Sequence, residues 1–372
     1  MKKSSKISPK IILSGGGTGG HIYPAIAIAN EIKSRFPQAD ILFVGAKDKM
    51  EMEKVPKAGY PIKGLWISGI QRKNMLANVS FPFKLIDSVW KSRKIVNEFK
   101  PDIAIGTGGF ASGPMMYAAA QKGVPVLIQE QNSFPGITNK LLKNKAFAIC
   151  TAYDNMAEYF PKDKIYYTGN PIRSELFTNL PEQKAAKEKL GLNPNKPLIL
   201  SVGGSLGSRT INNTWTKAAQ QIIGTDIQLL WQTGKLEWNK INSNQALKHE
   251  LIHTTEFIYE MDQAYAAADV IVSRAGAMAI SELTLIGKPT ILVPFPYAAE
   301  DHQTKNAESL VNADAALMIK DKDAEEKLPQ AAINLVQDVE AQKNLMVNLK
   351  RLAKPNATKD IVDLIQAKLN EY

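Results

Sequence analysis

The chain has 372 residues, 44% of them hydrophobic, with a formal net charge of +10 and one cysteine, which fits two domains of ordinary size, each able to bury a core. These figures argue against a disulfide framework and a low-complexity chain; no apolar run is long enough to span a bilayer, and the one behind the basic start Met1-Lys2-Lys3 is too short for a signal peptide. The excess of cations points either to an anionic partner, with nucleic acid, membrane surface and phosphorylated substrates all admissible, or to solubility alone.

The opening stretch reads strand, glycine turn, helix: Ile11-Ile12-Leu13, then Ser14-Gly15-Gly16-Gly17-Thr18-Gly19-Gly20-His21, then Ile22-Tyr23-Pro24-Ala25. Glycines at such a junction let main-chain N–H groups approach a phosphate at a helix N-terminus, or serve only to make a tight turn. Gly15, Gly17 and Gly20 fit the dinucleotide spacing G-x-G-x-x-G, but that fingerprint needs an acid after the next strand, and the run 41–44 ends in Gly45. His21 places a titratable group where the helix opens. Further β-rich runs at 102–105, 124–128, 147–150 and 165–168 alternate with helical stretches, as a doubly wound parallel sheet requires. A second glycine loop, 106–114, again follows a strand and opens a helix, so the two loops are expected to line one crevice. Cys150, behind Ala146-Phe147-Ala148-Ile149, reads as a buried, inert thiol.

Residues 63–100 differ in character. They interleave Arg72, Lys73, Lys84, Lys91, Arg93, Lys94 and Lys100 with Met75, Leu76, Phe81, Phe83 and Trp90, against only Asp87 and Glu98. That mixture suits an anionic lipid interface; an amphipathic helix with a solvated basic face accounts for it as well.

A domain boundary is expected near Gly169-Asn170-Pro171-Ile172-Arg173, where a fresh α/β unit begins. A polar helix over 182–190 leads to strand 197–202, the glycine turn Gly203-Gly204-Ser205-Leu206-Gly207-Ser208-Arg209, and strands at 227–231, 252–257, 270–273, 290–293 and 316–319. Apolar residues at helical spacing over 360–369 predict a docking helix. His249-Glu250-Leu251-Ile252-His253 matches H-E-x-x-H, but the strand expected immediately after it would part the two ligand faces, and no zinc site is assigned. Asp321-Lys322-Asp323 has the D-x-D form, yet its highly charged surroundings favour a solvated turn, so no metal or cofactor is assigned at all. Ser273-Arg274-Ala275-Gly276-Ala277-Met278-Ala279-Ile280-Ser281-Glu282 follows a strand and starts a helix with small residues, which leaves N–H groups open to an anion. Glu282, a turn and a half in, either faces the crevice, where two carboxylate oxygens accept from both ribose hydroxyls, or is a surface glutamate. Downstream of Pro294-Phe295-Pro296, the run 300–307 brings His302 and Gln303 to another strand end.

Gly16-Gly17-Thr18-Gly19-Gly20-His21, the Gly-Gly-Phe-x-Ser-Gly-Pro loop at 108–114, Glu130-Gln131-Asn132, Gly169-Asn170-Pro171-Ile172-Arg173, Gly203-Gly204-Ser205, Glu256-Phe257-Ile258 and the 273–282 stretch together resemble the MurG family. Its members are peripheral glycosyltransferases that move N-acetylglucosamine from a UDP donor to the undecaprenyl-diphosphate-linked muramyl pentapeptide, lipid I, in peptidoglycan synthesis. The resemblance implies an α/β chain of the GT-B fold, with two Rossmann-like doubly wound parallel-sheet domains facing a cleft. The first, 1–169, would face acceptor and membrane and take back the terminal helix 353–372; the second, 170–352, would bind the UDP-sugar. By matching positions, Arg173 and Ser205 would meet the diphosphate and the main chain at Ile258 would pair with uracil. Ala277, Met278, Ala279, Ile280 and Ser281 would bring the helix N-terminus to the donor, Glu282 would hold the ribose and Gln303 would contact the sugar. Thr18, Gly19, Gly20 and Asn132 would face the sugar and the acceptor. Phe110 stands where many members have tyrosine and Leu206 where many have glutamine, which removes a hydrogen bond from each. The implied location is the cytoplasmic face of the bacterial plasma (inner) membrane, with UDP-N-acetylglucosamine, lipid I and the anionic membrane surface as partners and no nucleic acid.

An inverting transfer needs a group to take the acceptor proton. His21, with an ordinary imidazole pKa near 6.5, is the candidate catalytic base; a purely structural role in the loop is the alternative. Two other classes compete. A dinucleotide-dependent oxidoreductase lacks its ribose acid here, and a basic RNA-binding protein would want stacking aromatics among its cations.

Overall fold

The structure, a computed structural model, describes residues 8–69, 79–172 and 179–371. The chain divides into two compact units, Met1–Ile172 with Pro355–Tyr372, and Arg173–Lys354.

In the first unit seven parallel strands run in the order β3-β2-β1-β4-β5-β6-β7: β1 Lys10–Gly15, β2 Asp40–Ala46, β3 Ile62–Leu65, β4 Ile103–Gly108, β5 Val126–Glu130, β6 Ala148–Thr151 and β7 Ile165–Tyr167. The central strands are continuously apolar because both faces are covered. Ile11, Leu13, Ile103 and Ile105 pack under the helices Gly19–Arg35 and Ala357–Leu369, while Ile12 and Ala104 face Met115 and Met116 of the helix Ser112–Gln121. The terminal helix contributes Ile361, Val362, Ile365 and Leu369 to this core, and Arg35 bonds Asp363, Gln366 and the Lys359 carbonyl. One strand, β3, was not anticipated. It is an edge strand of four residues with only Ile62 and Leu65 apolar, placed by its register on β2 rather than by any periodicity of its own.

The second unit has six parallel strands in the order β10-β9-β8-β11-β12-β13: β8 Leu198–Val202, β9 Gln228–Gln232, β10 Ile252–Thr255, β11 Val270–Ser273, β12 Thr290–Leu292 and β13 Leu317–Met318. Its core is centred on Trp215 and Trp231, whose indole N–H groups donate to Ser201 Oγ at 2.8 Å and Asn212 Oδ1 at 3.0 Å, so the large rings are buried without an orphaned donor.

Both sheets reverse their winding once, between β1 and β4 and between β8 and β11. Ligands of open α/β sheets bind beyond the strand C-termini at such a switch point. The glycine loops noted above lie at these two places.

Candidate active site

In the first unit the loop after β1 and the loop after β4 are pressed together. Gly16 N–H donates to the Gly108 carbonyl at 3.3 Å, and Gly109, at φ +89°, is so close to Gly16 that a Cβ would collide with its carbonyl. The helix Gly19–Arg35 starts at Thr18, whose carbonyl accepts from His21 N and Ile22 N. His21 folds back over the loop: Nδ1 lies 3.0 Å from the Gly16 carbonyl and 3.2 Å from Thr18 Oγ1. A carbonyl can only accept, so Nδ1 carries the proton in the neutral ring and Nε2 is the basic nitrogen. Thr18 is exposed, Gly19 and Gly20 half-buried. Phe110 lays its ring against Gly17 and Gly69, a packing role that needs no hydroxyl.

Asn132 follows β5 and is half-buried. It is held by Glu130, whose Oε1 accepts from Asn132 N at 3.0 Å and Nδ2 at 3.3 Å, while Oε2 accepts from Gly136 N at 3.1 Å and Asn139 Nδ2 at 2.8 Å. Burial pushes the Glu130 carboxyl up from its ordinary value, and these donors work against that shift. Beneath it, Gln131 Nε2 donates to the Thr107 carbonyl at 2.8 Å, Gln129 to Asn170 Oδ1 at 2.9 Å, and Asn170 Nδ2 back to the Gln131 carbonyl at 3.1 Å. The Gly169-Asn170 motif therefore locks the β5 loop.

In the second unit Gln232, at the end of β9, ties two motifs together. Its Nε2 donates to the Gly204 carbonyl at 3.1 Å and its Oε1 accepts from Ile258 N at 2.9 Å. Gly207 and Gly234, at φ +87° and +75°, meet back to back with no room for a Cβ on either. Ser205 and Leu206 stand exposed on that turn, joined to the neighbouring loop by Lys235 N→Ser205 O at 3.3 Å. A groove of about 800 Å³ along β10 ends on Phe257, Ile258 and Tyr259.

The helix Ala277–Ile286 has as its N-cap Gly276, which has no side chain to cap it. Ala277 and Ile280 are buried; Met278, Ala279 and Ser281 are half-buried, with Ser281 Oγ donating to the Ala277 carbonyl at 3.0 Å. Glu282, half-buried on the same helix, accepts from the buried Tyr265 hydroxyl at 3.1 Å. Burial, then the Glu282 charge, push the Tyr265 phenol well above its usual value, so it remains a donor. Gln303 Oε1 accepts from Phe295 N at 3.0 Å, which ties the start of its helix to the loop after β12. Arg173 lies outside the described residues.

One expectation is corrected. Asp321 is not a solvated turn residue: Oδ1 pairs with Arg274 NH1 at 2.5 Å and Oδ2 accepts from Thr210 Oγ1 at 2.8 Å. Arg274 also donates to the Val293 and Pro294 carbonyls at 3.0 and 3.1 Å and to Ser208 Oγ at 2.6 Å, clamping the glycine turn to the β12 loop. At 249–253 there is no helix; His253 sits in β10, and the two imidazoles share no helix face. Cys150 is fully buried, and burial pushes its thiol far up, as an inert thiol requires.

The helix Phe81–Phe99 is inside out for its composition. Ser88 and Ser92 are among its buried residues, while Phe83, Ile86 and Trp90 form a stripe 68%, 69% and 62% exposed. Lys91 pairs with Asp87 at 2.8 Å and Lys94 with Glu98 at 3.8 Å, and Arg93 donates to Gln121. Glu98 is shared with Lys63 at 3.3 Å, and the exposed face is thus apolar as well as charged, not simply basic. Arg72, Lys73, Met75 and Leu76 lie outside the described residues, and among the described ones no helix is long and apolar enough to cross a membrane.

Two doubly wound domains, each with a glycine turn at its switch point, define the GT-B class of fold. Within it, residues 11–151 match the glycosyltransferase family 28 N-terminal domain and 198–364 the family 28 C-terminal domain, and the chain belongs to glycosyltransferase family 28. It is 54% identical over 356 residues, 96% of both chains, to a Cytophaga hutchinsonii protein named UDP-N-acetylglucosamine--N-acetylmuramyl-(pentapeptide) pyrophosphoryl-undecaprenol N-acetylglucosamine transferase. A Flavobacterium psychrophilum protein of the same name is 52% identical over 96% of both chains. The crystal structure of Acinetobacter baumannii MurG superposes with a TM-score of 0.79 at 28% identity, covering 96% of this chain and 99% of that one.

Proposed function

We propose that this protein transfers N-acetylglucosamine from UDP-N-acetylglucosamine to the muramyl sugar of undecaprenyl-diphosphate-linked MurNAc-pentapeptide, giving lipid II with inversion at the anomeric carbon. The observation that carries the reading is 54% identity over 356 residues, 96% of this chain and 96% of a relative bearing that name.

The second domain is assigned the donor. Glu282, held by Tyr265, accepts from the ribose hydroxyls. The first turn at Ala277, Met278, Ala279, Ile280 and Ser281 lies toward the diphosphate together with Ser205 and Arg173, and steadies the charge that builds on the departing UDP. Uracil is placed at the Ile258 end of the β10 groove; since the Ile258 N–H is engaged by Gln232, pairing runs through the carbonyl or displaces that glutamine. Gln303 contacts the sugar. The first domain is assigned the acceptor, with Thr18, Gly19, Gly20 and Asn132 as its contacts and His21 Nε2 as the base that takes the attacking hydroxyl's proton. The exposed Phe83-Ile86-Trp90 stripe, set among cations, supports a peripheral hold on an anionic membrane surface, which this reading assigns to the cytoplasmic face.

The test is turnover of UDP-N-acetylglucosamine with lipid I in the presence of a chelator. Formation of a β-linked disaccharide product is expected. Calorimetry in which NADH or an oligonucleotide binds and the sugar nucleotide does not would sink the reading.

A further inference from the structure

The carboxylate of Glu51 lies directly beneath the first glycine loop. Glu51 opens the helix Glu51–Lys57 that follows β2, and it is fully buried. Its Oε2 accepts from Gly17 N at 3.0 Å and its Oε1 from Ala46 N at 2.9 Å. The approach is so close that a Cβ on Gly16 would collide with the carboxylate, and one on Gly45 would meet Glu51 Cγ at 2.5 Å. At both glycines the Glu51 side chain thus occupies the space a Cβ would need.

In a dinucleotide fold the N–H groups of this turn are directed at a diphosphate. Here one of them is already spent on an internal anion. The same peptide segment supplies the Gly16 carbonyl that accepts from His21 Nδ1 at 3.0 Å. The carboxylate anchors the turn from below at Gly17, and the imidazole reads its position one residue earlier.

We propose that Glu51 is a positioning residue: it replaces a diphosphate as the anion of the first glycine loop and, by fixing that loop, fixes the Gly16 carbonyl that sets the tautomer and orientation of His21. The inference rests on the transferase reading and on His21 acting as base. It assigns the loop a task other than holding phosphate, so the acceptor's diphosphate is not bound by the Gly17 N–H.

Glutamine at this position retains one acceptor but turns an NH2 against the second N–H donor, so the loop loses one of its two anchors. A misplacement of about 1 Å at a catalytic group costs up to 10²-fold. Glu51→Gln is therefore expected to lower kcat roughly 10- to 100-fold while leaving the KM for UDP-N-acetylglucosamine within about twofold, because the donor is held elsewhere. The decisive measurement is a double-mutant cycle with His21→Ala, which a general loss of packing would not couple. If Glu51 acts through His21, adding Glu51→Gln to His21→Ala costs less than about threefold more. Multiplicative losses, or a Glu51→Gln enzyme with parental kcat, overturn the proposal. Imidazole ¹⁵N chemical shifts of His21 in the unmodified protein give a second reading that needs no variant: a neutral Nδ1–H ring is expected, and an Nε2–H ring overturns it. A parent inactive with lipid I would instead refute the transferase reading, so the two failures are distinguishable.

Discussion

At the scale of single residues, the groups that shape both half-sites are mostly side chains that no local motif announces. Gln232 joins Gly204 to Ile258 across 28 and 26 positions of chain, and Arg274 meets Asp321 across 47. Glycine turns were legible because their cost in backbone entropy demands a local reason. A buried carboxylate such as Glu51, 34 residues from its loop, has no such signature; only the closed fold brings it there. Glu282 was legible as a carboxylate early in a helix, but Tyr265, which holds it, was not. That bond is the basis of a prediction. Ribose contacts are made alike in ground and transition states, so their loss weakens binding rather than slowing chemistry. Hydrogen bonds to a charged group contribute about 1.5–3 kcal/mol, so Glu282→Ala is expected to raise the donor KM by roughly 10-fold or more while kcat changes less than about threefold. Steady-state kinetics varying the sugar nucleotide check this; an unchanged KM removes Glu282 from the ribose.

At the scale of elements, what could be read followed burial. The central strands of the second domain, β8, β9, β11 and β12, stand out as short apolar runs, since sheets covered on both faces need them. Edge elements carried weaker signals: β3 has two apolar residues in four, and β10 was expected to continue to 257 but ends at Thr255. At the β10 edge, His253 Nε2 is buried and has no hydrogen-bond partner among the described residues. Burial holds its imidazole below the ordinary 6.5, against a bond to the Glu250 main chain that acts the other way. A folded value below the unfolded one means the unfolded chain binds more protons across that interval. Stability from this group is therefore fully present above 6.5 and is lost as pH falls through the folded value. Urea midpoints between about pH 7.5 and about pH 5 are expected to fall less for His253→Gln than for the parent. Parallel declines would show that protonation of His253 does not load the edge strand.

At the scale of the whole molecule, the net charge of +10 first invites a purely electrostatic account of where the protein goes. The helix Phe81–Phe99 argues for a different balance. Lys91 and Lys94 are each paired within the helix, and such exposed pairs are worth about 0.3–0.5 kcal/mol, so they retain some attraction for anionic headgroups without dominating it. Phe83, Ile86 and Trp90 form a continuous exposed stripe, and full burial of a large apolar side chain is worth about 1.5–3 kcal/mol. Because these three side chains are mostly exposed already, replacing them by serine removes little from the core. The triple variant Phe83→Ser, Ile86→Ser and Trp90→Ser is expected to lose roughly 10-fold or more in co-sedimentation with anionic vesicles, at high salt as well as low. Its turnover of a short-chain, water-soluble acceptor is expected to stay within about twofold of the parent, since none of the three residues is among those assigned to donor or acceptor. Reversing Lys91, Arg93 and Lys94 to glutamate removes a contribution on the order of 1 kcal/mol per cation, and that loss should fade as salt rises. A serine variant that still sediments like the parent would take the membrane contact away from this helix, and one that loses soluble-acceptor turnover would put the helix in the acceptor site instead.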